Sequence, residues 1–509
     1  MKKIIQYFIL TAAVGAVLAS CQRDQLPGTS TGTSTGTSTG TATGTSTGTS
    51  TGASDGSRVI SVDFADGTKT SLDGIHVKFC EGDIILVSNV QENGEGELED
   101  CQVKLDAGGN AQITTTLQGE LKAVYPVEAA VLDGYDIDLD TIRVPDVQSG
   151  RFEDANICTS TIAADGSSAI FTNRTAILKF YVEKSIGVTS IKVTSSGADI
   201  ADGSKTINVT APSGKTLDQI TDDPRKRICY VAVRPGVTAD QLTFTTSATT
   251  QLTLPHTPTN AVALSAGTLY RAFIPYYIDF GTDNKWGYCN IGAFLPEDYG
   301  NLYSWGNPTG QSGNGTFNPQ FTSAAYPAPG KNIGNAAGWA RATHDAAYND
   351  AKWGHNWCLP AEFTSLAADG VWIWTSDYKG TGVAGYTVYV AKDNGDKGKA
   401  QINNVWKKWD GSQYADSEAP GTTYDATSDI HVFLPVAGYS TGAKRDNGGA
   451  IGYYWSSAFT SGGFPCITLH ISNDILSPKN TDTRYHGRSI RPILNEHHLF
   501  ENIEDGGTI

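Results

Sequence analysis

Residues 353–363 read WGHNWCLPAEF, two tryptophans followed by a proline that opens onto a phenylalanine. Proline suits a first helical position, because its missing N–H would find no partner there, so a short helix is expected from Pro360 with Phe363 and Leu366 on one face. A second helix is expected over residues 343–352. Outward from this block, further aromatic stretches stand at 300–305 (GNLYSW), 432–439 (VFLPVAGY), 452–457 (GYYWSS) and 487–493 (GRSIRPI). All 10 tryptophans of the 509 residues lie between Trp286 and Trp455. Two regions of different core chemistry therefore meet near Tyr277 to Lys285. Residues 285–499 read as an α+β domain with a large irregular share, and 500–509 as a tail. Trp357, Trp372, Trp374 and Trp455 read as core, since large rings are more often packed than displayed.

Residues 58–277 look different. Ile60, Val62 and Phe64 alternate with Ser61 and Asp63, the period of a half-buried strand. Asp73-Gly74 marks a turn between runs at 68–72 and 75–79. Further strands are expected at 84–87, 176–182, 190–194, 228–233, 242–246 and 269–274. Short strands at this spacing indicate β-sandwich packing. Asp136, Asp138 and Asp140 imitate the start of a calcium loop, but Thr141 stands where the sharp turn needs glycine. Their alternation with Tyr135, Ile137 and Leu139 reads as an exposed strand face.

The N-terminal segment sets the compartment. Lys2 and Lys3 precede an apolar run over 4–17, too short to span a bilayer but suited to a signal peptide. Residues 18–21 (LASC) match a bacterial lipobox, which makes 1–20 the signal and Cys21 the lipidated first residue of the mature chain. Acyl chains there would hold the protein to a membrane. Residues 21–57 form a linker whose 28–52 contain only Gly, Thr, Ser and Ala, with nothing to bury. Such a spacer reaches roughly 100 Å when extended. The net charge of −16 argues against nucleic acid. The chain has 8 cysteines and no C-x-x-C pair, so a zinc site is not expected, nor any other metal or cofactor.

Six motifs run in order through the first region: 66–71 (DGTKTS), 79–87 (FCEGDIILV), 123–126 (AVYP), 176–182 (AILKFYV), 230–236 (YVAVRPG) and 264–270 (LSAGTLY). Together they resemble the fimbrillin-like proteins of Bacteroidetes. That resemblance implies a lipoprotein precursor of type V pili with two transthyretin-like β-sandwich subdomains. It also implies proteolytic processing after a basic residue ahead of the first strand, for which Arg58 is the candidate. The second region is similar to the Fibrobacter succinogenes major paralogous domain, which has a C-type lectin-like fold. The similarity rests on 286–293 (WGYCNIGA), Pro296, Glu297, 300–305, 353–363, 433–439, 452–457 and 484–493. Cys358 stands where that family usually has arginine.

The lectin-like fold also hosts enzymes that work through a cysteine pair, but Cys289, Cys358 and Cys466 are far apart in sequence. His344, His355, His431, His470 and His486 show no metal-ligand spacing, so no catalysis is expected. The tripeptides that bind calcium and sugar in animal lectins do not occur. What remains is recognition by loops on a rigid frame. Leu469, Ile471, Pro478, Arg484, Gly487, Ser489, Ile490, Arg491 and Pro492 read as that frame. Between them stand the candidate ligand-binding residues Phe459, Thr460, Phe464, Thr468, His470, Ser472, Asn473, Asp474, Leu476, Thr483, Tyr485, His486 and Arg488. They mix aromatic, amide, imidazole and guanidinium groups as contact surfaces do. With Leu469 and Ile471 inward, Thr468, His470 and Ser472 are expected to face outward together.

Lectin-like domains of this kind are frequent targets of diversity-generating retroelements, and residues 453–493 match the placement of such a variable stretch. The expectation is a cell-surface adhesin in the outer membrane or a fimbrium, a type V pilus tip subunit. Its partners are other pilin subunits, a host or bacterial surface protein or glycan, and the outer membrane through the lipid anchor. The alternatives are a glycan-capture surface lipoprotein and a structural pilus anchor.

Overall fold

The computed structural model describes residues 57–65, 79–90, 95–184, 186–220, 227–248, 256–258, 261–281, 285–312, 332–333, 341–350, 352–353, 356–441, 445–460 and 465–494. Cys21 with its signal and linker, the Asp73-Gly74 turn, His355, Phe464 and the tail lie outside these residues. The fold is mostly β-sheet with few, short helices. Among the described residues no helix is long and apolar enough to cross a membrane.

The first sheet has 8 strands in the order Gly96–Gln102, Ile84–Val90, Leu121–Tyr125, Cys158–Ile162, Ser168–Asn173, Arg58–Phe64, Ala111–Thr115 and Lys104–Leu105. Ile60, Val62 and Phe64 point into its core, and Phe64 stacks on Phe79. The sheet curls until distant strands meet: the Glu99 carboxylate accepts from the Thr115 hydroxyl at 2.7 Å and the Thr116 N–H at 3.0 Å. Arg58 is the opening residue of its strand, opposite Thr115, and not a linker residue ahead of it. Its guanidinium donates to the carbonyls of Ala164 at 2.8 Å and Gly119 at 2.9 Å.

Next comes a pair of packed sheets. One holds Ile228–Val233, Ala176–Tyr181 and Leu269–Ala272; the other holds Leu242–Ala248, Val188–Ser195, Thr206–Thr210 and Val147–Gln148. Phe180 and Phe244 meet edge to face between them, 5.1 Å apart. The Gln148 side chain stitches one to the other, donating to the Ala232 carbonyl at 2.9 Å and accepting its N–H at 2.8 Å. The three aspartates do not line a strand face. Leu132–Asp133 and Asp136–Ile137 form a minimal hairpin, Asp136 pairs with Lys122 at 2.7 Å, and Asp138 accepts the N–H groups of Asp140 and Thr141 in a local turn. An aspartate two residues before a free N–H competes with the ladder, which ended the alternation.

The second half is also mostly β, so its α share is smaller than the sequence suggests. Tyr277–Asp279, Lys285–Gly287, Ile493–Leu494 and Trp357–Cys358 form one sheet. A six-stranded sheet runs Tyr414–Asp416, Val405–Trp409, Lys399–Ile402, Gly370–Thr375, Gly385–Val390 and His431–Pro435. The helix expected from Pro360 begins later, at Thr364–Asp369, with Phe363 and Leu366 buried. The helix expected over 343–352 is a single turn, Arg341–His344. It stops because the buried Asp345 carboxylate accepts the N–H groups of Ala347 and Tyr348 and reaches across to Leu359, while Arg341 pairs with it at 3.0 Å. Burial raises the Asp345 pKa against these favourable bonds.

The two halves are joined by buried charge and stacked rings. Lys379 pairs with Glu183 at 2.9 Å, and Arg227 with Glu297 at 2.9 Å. Tyr181 stacks on Tyr288, and Phe273 meets the edge of Trp353 at 5.0 Å. Lys379 reaches Glu183 from a left-handed backbone with φ 51°, a conformation that costs a non-glycine residue roughly 1–2 kcal/mol. Burial works against the Glu183 charge, but the Lys379 ammonium and His431 hold its carboxyl well below the usual range. Burial and then Lys379 push the His431 imidazole down to about 4, and burial alone does the same to His256.

Lys379→Met strands the Glu183 carboxylate and is expected to cost about 3 kcal/mol in urea unfolding. Adding Glu183→Gln should recover part of the loss, and an unchanged midpoint in the single variant would refute the joint. Both histidines are neutral when folded but titrate normally when unfolded. Stability should therefore hold near neutrality, then fall as pH drops from about 6.5 to about 4. The Glu183 contribution is lost later, as pH falls through its depressed value. Urea midpoints across that range check the sign.

Candidate functional site

The strands Gly452–Phe459, Pro465–Ile471 and Leu476–Thr483 form an antiparallel meander. All the expected frame residues, from Leu469 to Pro492, are buried. Leu469 and Ile471 point inward as the strand period requires.

The other face is only half open. Thr468 is fully buried, opposite Trp455 on one side and Asn480 on the other, whose amide donates to the threonine hydroxyl at 3.1 Å. Residues 301–307 cover this end: the Trp455 indole donates to the Tyr303 carbonyl at 2.7 Å, the Trp305 indole to the Ser456 carbonyl at 2.8 Å, and Tyr303 bridges Arg488. Ser472 is buried too, its hydroxyl turned back to Asp474 at 2.6 Å, and Leu476 is buried as core. The expectation that Thr468, His470 and Ser472 share an outward face thus holds for His470 alone, which is half-buried. A register shift between Thr468 and His470 separates the two environments.

Arg488 is another correction. It is 3 % exposed and ion-paired with Asp482, and its guanidinium lies over the rings of Tyr439 and Tyr453 at 5.0 and 4.5 Å. Asp482 also accepts from His486 at 2.8 Å. Burial opposes the Asp482 charge, yet His486 and Arg488 lower its pKa. Arg488 is therefore a buried post and not a displayed anchor.

Around that post the structure assembles a patch. The His470 imidazole stacks on Tyr453 at 4.2 Å, Tyr439 meets Tyr453 edge to face at 5.5 Å, and Tyr485 leans on His486 at 5.0 Å. Tyr453, His470, Tyr485 and His486 are half-buried. The His470 Nε2 has no hydrogen-bond partner among the described residues. Burial, followed by the Arg488 charge, lowers its pKa and keeps the ring neutral near pH 7. Such a surface can stack and exchange hydrogen bonds with a ligand. Tyr439, Tyr453 and Asp482 were missed in the sequence. For Tyr453 the signal was its cross-strand register with His470, visible only once the hairpin is aligned.

The remaining candidates sit elsewhere. Asn473 and Asp474 form an exposed turn, Thr483 is half-buried, and Phe459 packs on Trp305 at 6.0 Å beside Thr460. Cys358 is a buried thiol, as are Cys289 and Cys466. Among the described residues no group of 3 or more His, Cys, Asp or Glu stands ready for a metal.

No protein-family model matches the chain, and no curated protein does. Among solved structures it is similar to a candidate cell adhesion protein from Bacteroides uniformis, at 13% identity and TM-score 0.26, covering 43% of this chain and 92% of that one. A second, from Bacteroides ovatus, matches at 13% identity and TM-score 0.28, over 44% and 91%. The C-terminally truncated tip fimbrial protein Mfa3 from Porphyromonas gingivalis matches at 7% identity and TM-score 0.20, over 42% and 84%. Overlap this slight carries no inference about ligand or partner.

Arg488→Ala leaves Asp482 buried and short of its cation, so unfolding stability should fall by about 3 kcal/mol. Tyr485→Ala should cost well under that. Equal, negligible effects would show that Arg488 is not a structural post.

Proposed function

We propose that this protein is a cell-surface adhesin whose C-terminal meander binds its ligand noncovalently. The observation that carries the reading is the Tyr439–Tyr453–His470 ring cluster, half-open to solvent and mounted on the buried Arg488–Asp482 pair. Aromatic anchors held rigid lose little entropy on binding, which is how a small patch gains affinity. An interface of about 800 Å² per partner, centred there, is the usual size for specific recognition. The finer reading rests on the sequence motifs: a fimbrillin-like stem under a C-type lectin-like head, lipidated at Cys21 and placed at a type V pilus tip. Its partners are then other pilin subunits below and a surface protein or glycan of a host or bacterial cell above. Processing at Arg58 belongs to the same reading and requires the start of the strand Arg58–Phe64 to open, since the guanidinium is bound on both sides.

Cell capture by the full chain tests the proposal. Tyr453→Ala with His470→Ala should abolish capture while the far-UV spectrum and unfolding midpoint stay near those of the parent. Undiminished capture would remove the patch from the binding surface. Diversification of residues 453–493 has its own test, deep sequencing of those codons across a population. Variation should concentrate at exposed and half-buried positions such as Asn473, Asp474, Tyr485 and His486, and a uniform sequence would end the idea.

A further inference from the structure

The molecule holds a second concave surface, which borders the ring cluster at Ser477, the cross-strand partner of His470. A groove of about 360 Å³ opens between the hairpin of Val405–Trp409 and Tyr414–Asp416 and the turn that leads into Leu476–Thr483. Its walls are Trp409 and Tyr414 on one side and Asp474, Ile475 and Lys479 on the other. The two rings lie 5.1 Å apart and tilted by 57°, an angled platform. The Tyr414 hydroxyl is buried, so the ring and not the hydroxyl is what this residue offers to an occupant of the groove.

The walls are fixed before any ligand arrives. Asn403 and Asn404, at φ 51° and 62°, make the tight turn that opens the hairpin, and the Asn403 N–H donates to the Asn473 carbonyl at 2.8 Å. On the far side the Asp410 carboxylate accepts the N–H groups of Ser412 and Gln413, each at 2.8 Å, and sets the exposed Gln413 amide at the rim. Lys407 pairs with Asp416 at 2.8 Å, and the other charged lining residues, Asp474 and Lys479, are of opposite sign, so the groove carries no net charge. Aromatic faces, an amide and a carboxylate around a pocket of this size, near the lower end for small-ligand sites, form a set for one class of ligand.

The geometry points to a short, uncharged saccharide, its ring on Trp409 and its hydroxyls shared between Gln413 and Asp474. This deepens the adhesin reading and rests on it for biological purpose, but the groove is a separate site. One wall lies inside residues 453–493 and the other outside them. A fixed aromatic platform would thus face a turn that is free to change.

The full chain titrated with lactose, cellobiose, mannobiose, chitobiose and sialyllactose, read by tryptophan fluorescence and calorimetry, tests the groove. At least one neutral disaccharide should bind, sialyllactose more weakly, with Trp409→Ala weakening binding about tenfold or more. Gln413→Ala, which leaves the rings in place, should weaken it several-fold. Near-UV circular dichroism and the unfolding midpoint of each variant confirm folding. No binding by any of the probes, or binding untouched in a folded Trp409→Ala protein, would overturn the inference. Capture lost in Tyr453→Ala/His470→Ala but kept in Trp409→Ala would also sink the groove while leaving the adhesin standing. Saccharide binding without any cell capture would do the reverse.

Discussion

The second half of the molecule is organised around one buried guanidinium. Arg491 is 0% exposed and donates to the Asn290 side chain at 3.0 Å, the Gly287 carbonyl at 3.1 Å and the Phe433 carbonyl at 2.6 Å. Those acceptors come from the start of this half and from the edge strand His431–Pro435 of its six-stranded sheet. A charge taken out of water costs several kcal/mol unless its donors are satisfied, so the three segments can sit no other way around it. Burial lowers its pKa, as expected where every acceptor is neutral. Gly287 is part of the same constraint. A Cβ there would stand 2.7 Å from the Trp353 ring and 2.9 Å from Pro492, so only glycine allows the approach that brings its carbonyl to Arg491.

From that pillar the architecture extends in two directions. Toward the first half, Trp353 and Tyr288 meet Phe273, Tyr276 and Tyr181, and the ion pairs of Glu183 and Arg227 close the joint. Toward the outer end, the main chain from 484 to 489 clasps Tyr303 and Trp305 and carries the meander. The meander itself makes none of the named contacts across the joint. Meander and joint are thus built on opposite sides of one core, and damage to one need not disturb the other.

What was legible in the sequence was whatever follows from local period. The alternation at Ile60, Val62 and Phe64, the apolar strand Ile228–Val233 and the inward Leu469 and Ile471 all survive folding, because a strand's two faces are set by its own residues. Strands such as Gly96–Gln102, rich in acids, gave no such signal; Glu99 finds its purpose in Thr115, a distant partner. The helix at 343–352 failed for a similar reason, since Asp345 serves Leu359 across the chain. At the site, the end of the meander that holds Thr468 is covered by residues 301–307, and Arg488 is bridged by Tyr303. No window of local sequence contains both sides of those contacts. The scatter of aromatic and polar residues marked the outer face of the meander, but not which half of it would remain open.

The pairing of Arg488 with Asp482 has an evolutionary corollary. Each residue is tolerable in its enclosed setting only while the other supplies the opposite sign, so neither can drift alone. Lineages that alter this corner must pass through a matched exchange, or through a crippled intermediate, and the two columns of any future family alignment should change in concert.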